Sequence, residues 1–278
     1  MKQLFDDVSV KCSKTTTLAY STSFSLGIKF LDKKFHHPIY SIYGFVRFAD
    51  EIVDTFHDYD KPYLLTKFRN DTNEAIDQKI SLNPILNSFQ KVVHDYGIER
   101  ELIDTFLNSM EMDLQQKFYN QQLYQQYILG SAEVVGLMCL RVFCEKNTEL
   151  YEKLKFPAMK LGAAFQKVNF LRDIKADNID LGRTYFPEVD LKNFSGNEKA
   201  KIEKEIEEDF VKALQGIEQL PMNSRKGVYL AYFYYKKLFL MIQKTPAEKI
   251  LSKRIRIPNI NKLVLMFVSL GRCQLNLL

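Results

Sequence analysis

Two stretches of this sequence place carboxylates one helical turn apart with an arginine close by. In the first, Tyr43-Gly-Phe-Val-Arg47-Phe-Ala-Asp50-Glu-Ile-Val-Asp54, an advance of 100° per residue puts Tyr43, Arg47, Asp50 and Asp54 on one narrow stripe, with Phe45, Phe48, Ile52 and Phe56 well away from it. In the second, Gln166-Lys-Val-Asn169-Phe-Leu-Arg172-Asp173-Ile-Lys-Ala-Asp177, Gln166, Asn169, Asp173 and Asp177 form a polar stripe, and Leu161, Ala164, Val168 and Leu171 form an apolar one on the opposite side. Aspartates at i, i+4 repel, and Asp is a mediocre residue for a helix interior, so both helices carry a local cost that something should offset. Hard divalent cations prefer oxygen ligands, and Mg²⁺ is commonly held by one or two carboxylates together with phosphate oxygens. Two facing helices with such pairs could hold several Mg²⁺ ions around a diphosphate. A single D-x-x-x-D pair by itself reads as a solvated helix face. Here the second stripe lacks the Lys and Glu partners such a face usually carries, an arginine accompanies each pair, and the pattern occurs twice.

The elements that must position these stripes are helical. Alternation of period two is almost absent, whereas apolar residues recur at three- and four-residue spacing along most of the chain. The pattern predicts an all-α protein with helices near 4–20, 36–57, 61–80, 84–95, 99–118, 121–144, 148–176, 195–217, 223–244 and 258–273. Asn83-Pro84 suits a helix start with proline at its first position, and Ser195-Gly-Asn-Glu198 has the form of a capping box. No low-complexity tract, internal repeat or linker divides the chain, so residues 1–278 are expected to form one domain.

Composition excludes several classes. The 278 residues are 46% hydrophobic and 26% charged, which rules out disorder, and the net charge of +5 is spread along the chain rather than gathered into a basic block, which argues against nucleic acid. Cys12, Cys139, Cys144 and Cys273 show no CxxC spacing, and MKQLFDDVSV meets acidic residues at once, unlike a secretory leader. Reduced cysteines and a cytoplasmic location are expected. The purely apolar runs, such as 263–268, fall far short of the roughly 20 residues of a membrane span. His36, His37, His57 and His94 form no HExxH or i, i+4 pair and read as surface or satisfied histidines rather than zinc ligands. Neither glycine-rich nucleotide motif occurs.

These residues resemble a known family, the squalene/phytoene synthases, which join two prenyl diphosphates head to head. Ser21-Thr-Ser23-Phe24 is similar to its early S-x-S-F segment, and Tyr43 to Asp54 to its first signature, Y-x-x-x-R-x-x-D-x-x-x-D. Tyr127 to Ala132 with Gly136 resembles its middle segment, and Gln166 to Asp177 its second signature, followed by Gly182-Arg183-Thr-Tyr185-Phe-Pro187 for G-R-x-Y-x-P. Tyr235 and Arg254-Ile-Arg256 resemble its C-terminal pieces. Two departures stand out: Glu133, where many relatives have Gly, and Phe118, where a D-L-x-x-x-R pattern from Asp113 would give Arg. The GSAEVVGLM segment resembles the form found in bacterial phytoene synthases.

The resemblance implies an isoprenoid synthase-type helical bundle around a central cavity. It implies that Asp50, Asp54, Asp173 and Asp177, with Asn169, bind Mg²⁺, with Mn²⁺ as an alternative ion, and that Arg47, Arg172 and Arg254 bind phosphate oxygens. Ser21 and Gln166 fall on the substrate side, and Phe24, Tyr43, Tyr127 and Tyr235 would line a dry pocket that stabilises carbocations, although each aromatic alone reads equally as core packing. The implied reaction converts two geranylgeranyl diphosphates to phytoene through a cyclopropyl diphosphate without NADPH. Squalene or dehydrosqualene synthesis from farnesyl diphosphate is the nearest rival, and a non-catalytic helical binding protein the rival from another class. Greasy substrates and products are compatible with peripheral contact at the inner membrane face, for which Lys253-Arg254-Ile-Arg256 offers a basic patch. Oligomeric state is not legible.

Overall fold

The computed structural model describes residues 1–115, 118–179, 183–187, 189, 194–251, 254–257 and 272. Twelve helices and one π-helical turn make up its regular structure among these residues, with no strand beyond an isolated bridge between Phe118 and Thr184. They are α1 (Lys2–Tyr20), α2 (Thr22–Lys29), α3 (Lys33–Asp54), α4 (Lys61–Gln78), α5 (Pro84–Tyr96), α6 (Arg100–Gln115), α7 (Gln121–Ile128), the π turn (Leu129–Glu133), α8 (Val134–Cys144), α9 (Thr148–Ile179), α10 (Gly196–Ile217), α11 (Met222–Gln243) and α12 (Ala247–Ile250). The all-α expectation holds. The helix expected over 258–273 lies outside the described residues except for Arg272.

Sequence rules explain most boundaries. The Asn83 side chain caps α5 with Pro84 at its first position, and Ser195 and Glu198 exchange both hydrogen bonds of a capping box at α10. Two differences have local causes. Helix α3 starts at Lys33 rather than near 36, because Asp32 accepts a hydrogen bond from Lys34 N–H, and Pro38 is carried inside the helix. Helix α2 has no counterpart in the periodicity. Its start is set by Ser21, whose hydroxyl accepts from Phe24 N–H.

The apolar interior has two connected parts. Around α3 to α6 and α8, Phe45 stacks on Phe89 at 4.0 Å and meets Phe68 and Phe106. Around α9 to α11, Phe210 packs on Tyr232 and Phe239. Helix α1 buries a stripe of Ser9, Ser13 and Thr17 instead, tied to α5 by Ser13–Ser88 and Asn87–Ser9 hydrogen bonds. Small side chains there let backbones approach closely: a Cβ on Gly44 of α3 would lie 3.0 Å from Ser13 Oγ. Residues Gln121–Cys144 are apolar and long enough to cross a membrane by composition, but two-thirds of that window is buried in the bundle and the π turn interrupts it, as befits a core element. His36 and His94 each pair with a backbone carbonyl, and Cys12, Cys139 and Cys144 are free thiols; Cys273 lies outside the described residues.

Candidate active site

Helices α3 and α9 face each other across a polar cavity of about 770 Å³. Tyr43, Arg47, Asp50 and Asp54 line it from α3, and Gln166, Asn169, Arg172 and Asp173 from α9. Ser21, Phe24, Tyr127, Tyr235 and Arg254 complete the set named from sequence, so all of those residues border one space except Asp177, whose side chain lies outside the described residues. The turn-by-turn spacing of each stripe is what aims its polar groups the same way. Ser21 is brought in by the α1–α2 junction and Arg254 by the segment after α12.

Arginines neutralise the carboxylates. Arg47 bonds Asp50 at 2.5 Å and also pairs with Glu51, while its guanidinium lies over the Tyr20 ring at 4.3 Å. Arg172 and Arg254 both clamp Asp173, at 2.5 and 2.7 Å. Burial, with the neighbouring Asp54 charge adding to it, pushes the Asp50 carboxyl up to about 7 despite Arg47. Asn169 Oδ1 accepts the Tyr235 hydroxyl, and Ser21 is bonded to Tyr43, whose hydroxyl burial pushes up to about 12.

Behind Asp54, Asp113, Tyr119, Arg183 and Tyr185 join Tyr127 in a second cluster beyond the residues that spacing and resemblance assign to the site. Asp113 of α6 is buried and accepts hydroxyls from Tyr127 (2.6 Å), Tyr185 (3.1 Å) and Tyr119 (3.3 Å). Arg183 donates to Asp54 at 2.9 Å and lies 3.5 Å from Asp113. Burial raises the Asp113 carboxyl to about 6, with Arg183 and Tyr127 opposing the rise. The available signals were the quoted D-L and G-R-x-Y fragments, but sequence spacing could not join residues 113 and 183. Phe118, at the expected arginine position, is 73% exposed and pairs its backbone with Thr184. Glu133 lies in the π turn and bonds Lys160 at 3.4 Å.

The polar cavity shares Phe24, Tyr43, Val46, Ser131, Gln166, Asn169 and Tyr235 with an apolar chamber of about 280 Å³ between α2, α3, α8, α9, α10 and α11. Of the apolar stripe of α9, Leu161 lines this chamber, and Ala164, Val168 and Leu171 are fully buried. The partners of α9 change along its 32 residues, so the same side of the helix meets core at one level and cavity at another. Phe24 stacks on Tyr43 at 5.2 Å and Phe165 on Tyr235 at 4.0 Å, giving the junction aromatic walls.

Asp50, Asp54 and Asp173 offer carboxylate oxygens and Asn169 an amide oxygen, donors of the kind a hard cation prefers. Among the described residues no three carboxylates, thiols or imidazoles converge tightly enough to enclose an ion by themselves.

Comparison with known proteins agrees with this architecture. The chain is 24% identical to phytoene synthase 1, chloroplastic, of Solanum lycopersicum over 91% of its length and 65% of the relative's, and 27% identical to the presqualene diphosphate synthase of Rhodopseudomonas palustris over 61% and 60%. It thus spans less than two-thirds of the length of either. A solved dehydrosqualene synthase in complex with ligand superposes with a TM-score of 0.81 at 18% identity, covering 98% of both chains, so the fold is shared. Residues 17–261 match the squalene/phytoene synthase family, and the chain belongs to it.

Proposed function

We propose that the chain is a prenyltransferase that condenses two prenyl diphosphates head to head, taking geranylgeranyl diphosphate to phytoene through a cyclopropyl diphosphate. The observation that carries this reading is the junction: a polar, arginine- and aspartate-lined cavity opens through a shared aromatic collar into an apolar chamber. Head group and tail each have a matching compartment.

Asp50, Asp54, Asp173 and Asn169, with Asp177, would hold Mg²⁺, or Mn²⁺ in its place. When bound, the ion supplies neutralisation of the charge that collects on the departing diphosphate. Arg47, Arg172 and Arg254 exchange their carboxylate partners for phosphate oxygens, which the planar guanidinium fits well. Ser21 anchors the head group. Loss of diphosphate from one substrate leaves an allylic cation, which the double bond of the other attacks; loss of a proton from the resulting cation closes the cyclopropane, and the rings of Phe24, Tyr43, Tyr127 and Tyr235 present π faces to the charge. The apolar chamber excludes water that would otherwise quench it. A second ionisation, rearrangement and proton loss give phytoene, with no NADPH consumed.

The chamber wall is long enough for either tail. Its α9 wall runs from Asn169 to Leu154, a rise of about 22 Å at 1.5 Å per residue. A zigzag chain advances about 1.25 Å per bond, so a geranylgeranyl main chain spans roughly 19 Å and a farnesyl chain roughly 14 Å. Farnesyl diphosphate as substrate is the second reading, favoured by the likeness to a presqualene diphosphate synthase. Peripheral membrane contact fits the greasy product. The deciding experiment incubates purified protein with Mg²⁺ and either diphosphate, with and without NADPH, and identifies the hydrocarbon. A forty-carbon triene without NADPH supports the proposal, a thirty-carbon product moves it to the second reading, and no turnover with either refutes both. Asp50→Ala and Asp173→Ala should each remove turnover with the helical spectrum intact; retained turnover in both would refute the assigned roles.

A further inference from the structure

Arg183 stands apart from the other arginines of the cavity. Arg47 and Arg254 border the space where a phosphate would sit, whereas Arg183 is sealed in the wall, its side chain 7% exposed. One nitrogen, Nη1, faces three acceptors at once: Asp54 Oδ1 at 2.9 Å, the Tyr185 hydroxyl at 3.2 Å and Asp113 Oδ1 at 3.5 Å. Nη2 meanwhile donates to the Val53 carbonyl at 3.4 Å, fixing the guanidinium at the end of α3. Of its two carboxylate partners, Asp54 opens onto the cavity and Asp113 does not. A cation arriving at Asp54 must therefore displace a charge already in place, and the displaced guanidinium has a second carboxylate within a short shift of its present position.

We propose that Arg183 is a positioning residue acting as the built-in counter-cation of Asp54, and that Asp113 takes over the guanidinium when Asp54 engages a divalent ion. This rests on the reading of Asp54 as a metal ligand. Arg183 thereby opposes cation binding and Asp113 promotes it, although neither is a ligand. The consequence is a cavity that holds little bare cation while no diphosphate is present, and keeps Asp54 aimed inward in the meantime.

The opposite signs make the idea testable without turnover. Binding of Mn²⁺ alone to the purified full chain is followed by the loss of the free-ion paramagnetic resonance signal, then repeated with inorganic pyrophosphate. Arg183→Met should tighten Mn²⁺ binding about five- to tenfold, the scale of one partly screened charge at this range. Asp113→Asn should weaken it by a similar factor, and should lose most of that effect in the Arg183→Met background, because the two act through one exchange. Arg183→Lys, which keeps the charge, should stay within about twofold of the parent. If Arg183→Met does not fold, Arg183→Gln carries the same expectation. A merely structural role would weaken binding in both single variants, and that result overturns the inference while leaving the metal reading intact. Failure of the parent chain to bind Mn²⁺ even with pyrophosphate overturns both.

Discussion

Gly162 provides a test of the wall between the π turn and α9, because two effects of known sign oppose each other there. A Cβ built on Gly162 would lie 2.5 Å from the Ala132 carbonyl oxygen, 2.9 Å from its carbon and 3.2 Å from Glu133 Cα, where ordinary contact begins at 3.4 Å. All three obstacles are backbone, so no rotamer change relieves them and the two elements must separate by nearly an ångström. Overpacking of this kind costs about 1 to 3 kcal/mol. Helix propensity alone favours alanine over glycine by about 1 kcal/mol. The balance for Gly162→Ala is a loss of about 1 kcal/mol, read as a lower urea midpoint at unchanged slope. Gly196→Ala, at the start of α10 where a Cβ meets nothing within 4 Å, is the control and should shift stability by no more than about 0.5 kcal/mol. Because Ala132 and Gly162 both line the chamber, the separation should also raise KM for the prenyl diphosphate more than it lowers kcat. A gain of about 1 kcal/mol from Gly162→Ala would show that propensity governs and that the close approach does not exist.

Two further outcomes follow from the geometry. Ser195→Ala removes one half of the capping box at α10 and should cost about 1 kcal/mol by the same urea assay; no change would mean the box is not formed. The raised carboxyls give a signed pH effect: Asp50, near 7, and Asp113, near 6, hold protons in the folded state that the unfolded chain releases near 4, so their contribution is present in acid and is lost as pH rises through about 6 to 7. The metal-free protein should therefore lose melting temperature between pH 5 and 8 more steeply than Asp50→Asn, and equal slopes would sink the assignment.

Period and capping chemistry made most of the fold legible, since α3, α5, α9 and α10 each carry a stripe or a cap that acts within one helix. Helix α2 was invisible because its eight residues include three serines and threonines and a glycine, too short and polar for a periodic signal. The π turn was equally hidden: the segment that follows it is apolar on nearly every face, so the phase shift of an extra residue leaves no mark in the pattern. For the site, each stripe showed which residues share a face, but not what that face meets. The Asp113–Arg183 pair spans 70 positions and depends on how α6 and the segment after α9 come together, which no local rule reports.

The seven residues common to the two compartments also have an evolutionary reading. On the proposed reading, substitutions beyond that waist, at positions such as Leu31, Phe143 or Leu154, would alter room for hydrocarbon while leaving the acidic and guanidinium groups untouched. Substitutions on the other side would, on the same reading, retune ion and anion capture without reshaping the dry end. A scaffold partitioned in this way can drift between products of different carbon number one half at a time, which accords with relatives named for several end products on a single fold.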